Sequence, residues 1–258
     1  MSRFMNTAIS IYLREVLRFG RQRARILGAF GMPLLFWGFM GAGFGRSFQA
    51  PGMAPGVDYL SFFFPGMVVG VVLFTAIFGA MSVIEDRNEG FLQGVMTAPV
   101  PRSAIVLGKI LGVSTIGLFQ GSLLMVLAPL VGVELHVSQW PLLLLILLLS
   151  AIALSGTGFF FAWRMNSVQG FHAIMNLLLM PMWLLSGAFF PAQGAAGWMR
   201  TVMMFNPLTY ALESFRPAFA GQESSSQLVP GVPPLLLLTA FAVIIFMAAV
   251  LQANRQEG

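Results

Sequence analysis

Residues Ile84–Ile110 read IEDRNEGFLQGVMTAPVPRSAIVLGKI, a charged interruption between two long apolar segments. Glu85, Asp86, Arg87 and Glu89 crowd its start, in a chain that is only 9% charged. Phe91, Leu92, Val95 and Met96 then recur at helical spacing, and Pro99 and Pro101 halt the pattern. The spacing predicts a short amphipathic helix over 85–98. Held between two spans, such a helix is either a docking element or an ordinary solvated loop, and the pattern alone admits both.

Outward from this stretch the chain is strongly apolar, with 57% hydrophobic residues, 13% aromatic residues and a mean hydropathy of +0.84. Soluble domains hold about 45–50% apolar residues. The apolar residues form separate runs of about twenty, the length at which a helix crosses the hydrocarbon, without the alternation of a barrel. The fold class is therefore all-α integral membrane. One transmembrane domain over 1–258 is expected, with six transmembrane helices at 26–45, 59–84, 104–131, 141–163, 168–190 and 234–252. Lys109, near the start of the third, is expected to snorkel back to the interface.

Two regions fall outside these spans. Over 2–25, Arg14, Arg18, Arg21 and Arg25 form one stripe, while Ile9, Leu13, Val16 and Leu17 lie towards another. This predicts an interfacial amphipathic helix whose arginines reach lipid phosphates and whose apolar side chains enter the acyl boundary. Over 192–220, AAGWMRTVMMF and PLTYALESFRPAF are helical in pattern yet too short to cross, with a break at Asn206 and Pro207. They suit two short re-entrant helices dipping in from one side. The amino terminus lacks the apolar core and small-residue cleavage site of a secretory signal, so insertion is expected through the first span.

Orientation follows from the cations. With both termini on one side, that side receives Arg3, Arg14, Arg18, Arg21, Arg23, Arg25, Arg87, Arg102, Lys109, Arg164 and Arg255. The other side receives Arg46, Arg200 and Arg216. By the positive-inside rule both termini and the central stretch are cytoplasmic, and the short helices are extracytoplasmic. The net charge of +5 is thus topological, and nucleic acid is not an expected partner because no aromatic-plus-basic groove accompanies it.

No nucleotide-binding loop, zincin motif or serine-hydrolase elbow is present, so no catalytic residue is assigned and the chain cannot hydrolyse ATP alone. It has no cysteine, and neither His136 nor His172 has a carboxylate at metal-ligand spacing, so no metal or other cofactor is expected. Gly41 with Gly45, Gly66 with Gly70, Gly108 with Gly112, and Gly117 with Gly121 are small-xxx-small pairs suited to helix packing. Gln120, His172 and Asn176 are polar groups inside spans, and are either helix-helix hydrogen bonds or lining of a pathway. No span carries a carboxylate near its middle, which argues against an ion-coupled carrier.

Six spans with both ends inside, an amphipathic amino-terminal helix, a cytoplasmic helix between spans two and three and two short outer helices together resemble the permease subunit of type-2 ABC exporters. The most specific residues are Glu89, Gly90, Phe91, Leu92 and Pro99, which resemble the E-x-G-T-x-E-x-L...P signature, with Phe91 where Thr is common and Gln93 where Glu is common. Ser186, Gly187, Phe190 and Pro191, then Asn206, Pro207, Tyr210 and Arg216, extend the likeness.

The resemblance implies that the predicted helix is the coupling helix, entering a cleft on a separate cytoplasmic ABC ATPase that binds ATP and magnesium. Phe91, Leu92 and Val95 would fill a pocket there, with Glu85, Arg87 and Glu89 pairing at its rim. It further implies a homodimer of permeases with two ATPases, in a bacterial inner membrane, exporting a lipid, lipid-linked glycan, drug or polysaccharide; among these, the plentiful Phe, Met and Trp (25, 17 and 5) suit a hydrophobic or amphipathic substrate. The competing readings are a secondary carrier and a non-transporting assembly or regulatory subunit.

Overall fold

The computed structural model describes residues 2–44, 58–133, 135–192, 195–219, 228–229 and 231–254. Arg46, Glu134 and Arg255 lie outside the described residues. Among the described residues there is no strand, and six helices are long and apolar enough to cross a membrane. In chain order, α1 (Ser2–Arg21) breaks at Gln22 and turns into α2 (Arg23–Phe44). Then come α3 (Tyr59–Asn88), the short α4 (Phe91–Thr97) and α5 (Arg102–Val126). α6 (Trp140–Ala162) and α7 (Val168–Trp183) follow, α7 running on into a wider turn at Leu184–Ala188. The short α8 (Gly197–Met204) and α9 (Pro207–Phe215) precede the last span, α10 (Pro234–Asn254).

Around the central stretch the helix boundaries differ from the sequence reading. α3 does not end at 84 but continues through Asn88, so Glu85, Asp86 and Arg87 belong to its last turns. Gly90, at φ +78°, then reverses the chain into α4. The helix predicted over 85–98 is thus two pieces. The charged turns stay helical because their carboxylates find cationic partners within the protein, and glycine supplies the left-handed residue that ends the rod.

α3 is the axis of the bundle. Every residue from Phe62 to Ile77 is buried, as expected of a helix apolar all round and enclosed by others. α2 and α10 are peripheral, with Leu27, Phe39, Ile244 and Met247 among their exposed side chains. Packing on α3 is close enough to need glycine. A Cβ on Gly66 would lie 2.6 Å from that of Ala188, and one on Gly70 would lie 2.5 Å from the Trp183 ring. Trp183 Nε1 donates to the Gly66 carbonyl at 2.9 Å, so the indole is fixed by a hydrogen bond as well as by shape.

The short helices are tied to the end of α7. Asn206 caps α9 by accepting from the Leu208 N–H at 3.1 Å, and its amide donates back to the Met182 carbonyl. Tyr210 donates to the Met204 carbonyl. Arg216 donates to the Gly187 carbonyl at 2.6 Å and lies 4.3 Å above the Phe62 ring. Gly187 adopts φ +90°, which turns its carbonyl towards that guanidinium. Burial lowers the Arg216 pKa to about 10, and raises that of Glu213 to about 7.

Two outcomes follow from this packing. Gly70→Leu drives a branched side chain into the Trp183 ring, and the detergent-solubilised protein should lose thermal stability, read as a lower unfolding midpoint. The Glu213 contribution to stability is full below its ordinary value of 4.5, and is lost as pH rises through about 7, because the fold disfavours the charged form. Glu213→Gln should remove that part of the pH dependence between about 4.5 and 7 in a melting series.

Candidate functional site

The region that gathers the most polar chemistry lies where α1, the end of α3 and the start of α5 meet. α1 presents Ala8, Ile11, Glu15 and Phe19, at roughly one-turn spacings, to the body of the protein. Its closeness to α5 depends on Gly108, where a Cβ would lie 2.6 Å from the Ala8 carbonyl oxygen. Met5, Ile9, Leu13 and Leu17 form a separate, exposed apolar stripe.

Between these faces the polar residues of α1 reach across to α3 and α5. Arg14 makes a two-pronged contact with Asp86, at 2.7 and 2.6 Å. Arg18 pairs with Asp86, with Glu85 at 3.0 Å and with Glu89 at 3.1 Å, and Arg25 pairs with Glu85. Lys109 donates to Glu15 at 2.6 Å, to Ser82 at 3.0 Å and to Asp86, while Ser82 donates to Glu15 at 2.7 Å. All three ammonium protons of Lys109 are thereby used.

Four cations, Arg14, Arg18, Arg25 and Lys109, face four carboxylates, Glu15, Glu85, Asp86 and Glu89. Asp86, Lys109 and Glu15 are 0%, 2% and 3% exposed, so the core of the cluster is dry. Charges at that depth persist only when paired and hydrogen-bonded, and these are. The Asp86 hydrogen bond also holds the Arg14 guanidinium above its ordinary pKa.

α4 hangs from this cluster. Arg14 stacks 3.6 Å above the Phe91 ring, and Leu92 is buried against the body of the protein. Gln93, Gly94, Met96, Thr97 and Pro99 are exposed instead. Between α1 and α4 runs a groove of about 690 Å³, lined by Asn6, Ser10 and Arg14 on one side and Phe91, Gly94 and Val95 on the other. Arg87 points the other way, donating to the carbonyls of Trp163 and Met165 and to the Asn166 side chain, which fastens the turn after α6.

Several sequence expectations change here. Arg14, Arg18 and Arg25 are engaged by carboxylates of the same chain, whereas Arg21 is exposed and has no ion pair among the described residues. Lys109 does not snorkel outward, because Glu15 and Asp86 hold it inside. Glu85, Glu89 and Arg87 are occupied within the protein, and Leu92 faces inward. Sequence reasoning missed Glu15, Ser82 and Asp86 as site residues. Their signal was a carboxylate set among arginines, and Ser82 with Asp86 one helical turn apart near a lysine in the next span.

The polar residues within spans separate. Gln120 is buried, its amide meeting the Thr75 hydroxyl. His172 stacks on Phe78 with ring centres 6.0 Å apart, and its Nδ1 has no hydrogen-bond partner. Asn176 is half-buried one turn further along α7.

The chain matches the family described as ABC-2 type transporter over residues 8–220. Among its relatives, the Inner membrane transport permease YadH of Escherichia coli (strain K12) is 25% identical over 204 residues, covering 79% of this chain and 78% of that protein. Nodulation protein J of Rhizobium meliloti (strain 1021) is 26% identical over 219 residues, covering 83% and 81%. The Putative transport permease ycf38 of Cyanophora paradoxa is 24% identical over 221 residues, covering 83% and 74%.

The ion cluster can be probed directly. Asp86→Ala leaves three cations short of a counter-charge, and should destabilise the protein by about 3–5 kcal/mol, read from unfolding in detergent. Glu15→Gln with Lys109→Met removes a neutral pair, and should cost less than the sum of the two single changes in a double-mutant cycle.

Proposed function

The chain belongs to the ABC-2 type transporter family, and on that premise we propose that it is the permease of an ATP-driven exporter, engaged by a separate cytoplasmic ABC ATPase through α4 and the groove beside it. Membership makes it a membrane transport permease of a family that partners an ABC ATPase. The proposal adds the outward direction, the docking surface and the cargo.

The observation that carries it is the mounting of α4. A helix of seven residues is too short to be stable alone, yet this one is clamped by Arg14 over Phe91 and by the buried Leu92. Its free edge, Gln93, Gly94, Met96 and Thr97, faces away from the protein next to an open groove. A projecting element of the ATPase would seat there, against Gly94 and Val95, rather than receive Leu92 into a pocket of its own. Displacement of α4 would then pass through Arg14, Arg18 and Asp86 into α1 and α3 together. ATP and magnesium would be held by the partner.

Two permeases and two ATPases would form the working unit, with both termini of each permease cytoplasmic. A second copy is suited by the apolar faces that α2 and α7 leave uncovered near each other, where Phe36 meets Trp183 at 5.6 Å between ring centres and Leu177 is exposed. His172 and Asn176 on α7 would give such an interface a few polar contacts in apolar surroundings, which suits an amphipathic or lipid-like cargo.

Gly94 supplies the test. A Cβ there meets nothing within 4 Å, so Gly94→Trp should leave the membrane-inserted protein folded, fill the groove and abolish stimulation of the co-purified ATPase. Stimulation at the wild-type level in a well-folded Gly94→Trp protein would refute this docking surface.

A further inference from the structure

α7 is held by polar bonds near its two ends and by none between them. At its carboxy-terminal end, Trp183 donates to the Gly66 carbonyl at 2.9 Å, Asn206 donates to the Met182 carbonyl, and Arg216 donates to the Gly187 carbonyl at 2.6 Å. Just before its amino-terminal end, Arg87 of α3 donates to the Met165 carbonyl and the Asn166 side chain, each at 3.1 Å, and to the Trp163 carbonyl. Ser167, the next residue, caps α7 by accepting from the Gly170 N–H at 3.2 Å. Among the described residues, no side chain from Val168 to Pro181 hydrogen-bonds to another element beyond that capping turn.

What lies between the two fastenings is suited to movement. Phe171, Met175 and Leu179 are buried at one-turn spacings, and His172 only stacks on Phe78, with 6.0 Å between ring centres. Contacts of this kind carry no directional bond, and packed helices slide on them. Pro181 has no N–H to donate to the Leu177 carbonyl, which weakens the ladder just before the wide turn at Leu184–Ala188, where Leu185 and Gly187 leave helical geometry. A rod gripped at both ends, apolar along its length and broken near one of them is a lever with a hinge.

Arg87 stands in the last turns of α3, next to Asp86 and three residues before Gly90, where the chain reverses into α4. It therefore moves with the end of α3 that holds the ion cluster. On the reading that an ATPase docks at α4, we infer that Arg87 is a positioning residue that passes displacement of α4 to α7, which turns about Leu184–Ala188. Two of the three acceptors of Arg87 are backbone carbonyls, and its planar fork holds them in fixed relation, so the turn Trp163–Asn166 moves with the guanidinium as a unit. The movement carries Asn176 and the exposed Leu177, and so alters the face offered to a second copy when the ATPase docks.

The test uses the whole protein with its co-purified ATPase in nanodiscs. Because the chain has no cysteine, Ile174→Cys and Leu251→Cys place spin labels at exposed positions of α7 and α10 alone, and dilution with unlabelled chains restricts the measured distance to one molecule. A non-hydrolysable ATP analogue with magnesium should shift that distance by several ångströms. Arg87→Gln should keep the stimulation of the ATPase and lose the shift, whereas Arg87→Lys, which keeps donors for the carbonyls, should retain both. Stimulation without any shift in the chain that keeps Arg87 overturns the inference without reference to a variant, and leaves the docking surface standing. A full shift in Arg87→Gln overturns it as well. Absence of stimulation by the chain that keeps Arg87 is the failure of the docking reading itself, and takes this inference with it.

Discussion

Asp86 is the residue on which the arrangement of the molecule's charged end depends. A carboxylate with no exposed surface would ordinarily take up a proton or draw in water. Here its oxygens are met by Arg14 and Arg18 of α1 and by Lys109 of α5, two helices that pack closely on each other. Because each partner is long and the meeting point is buried, none can move without leaving another charge stranded. A surface ion pair is worth little, whereas losing one member of a buried set is costly. The cluster therefore fixes the placement of α1 more firmly than its apolar contacts alone would.

That fixity is continued through α3. At one end the helix carries the ion cluster, and near the other Gly66 and Gly70 receive the end of α7, while Tyr59 donates to the Phe189 carbonyl at 3.1 Å. Arg87 and Arg102 extend the ties, one to the turn after α6 and the other to the Ala253 carbonyl at the end of α10. A single uninterrupted helix thus joins the surface offered by α4 to the short helices α8 and α9 at the opposite end of the bundle. Its length is about 45 Å at the standard rise for its 30 residues.

Much of this could be read from the residues, and the reasons for the remainder are physical. The six spans were legible because runs of apolar residues with charged ends have one economical solution in a bilayer. Asn206 and Pro207 announced the break between α8 and α9, since a cap followed by proline is a local signal. The end of α3 was not legible. Glu85 and Asp86 have the composition of a solvated turn, and only partners far along the chain keep that turn helical. For the same reason the arginines of α1 were assigned to lipid. A helical stripe shows that residues share a face, and says nothing about what the face meets. Leu92 was assigned to a partner because periodicity marks a greasy side without telling whether the chain itself already covers it.

The sequence distance between the cluster's members bears on how the protein comes to be made. Arg14 waits for a partner 72 residues downstream, and Glu15 for one 94 residues downstream. At about 5–20 residues per second, roughly five to twenty seconds of translation separate the synthesis of Glu15 from that of Lys109. During that interval α2 and α3 emerge from the ribosome while Glu15 still lacks its ammonium partner. Docking of α1 through Lys109 therefore waits for α5, and α5 is the segment whose arrival completes the ion cluster.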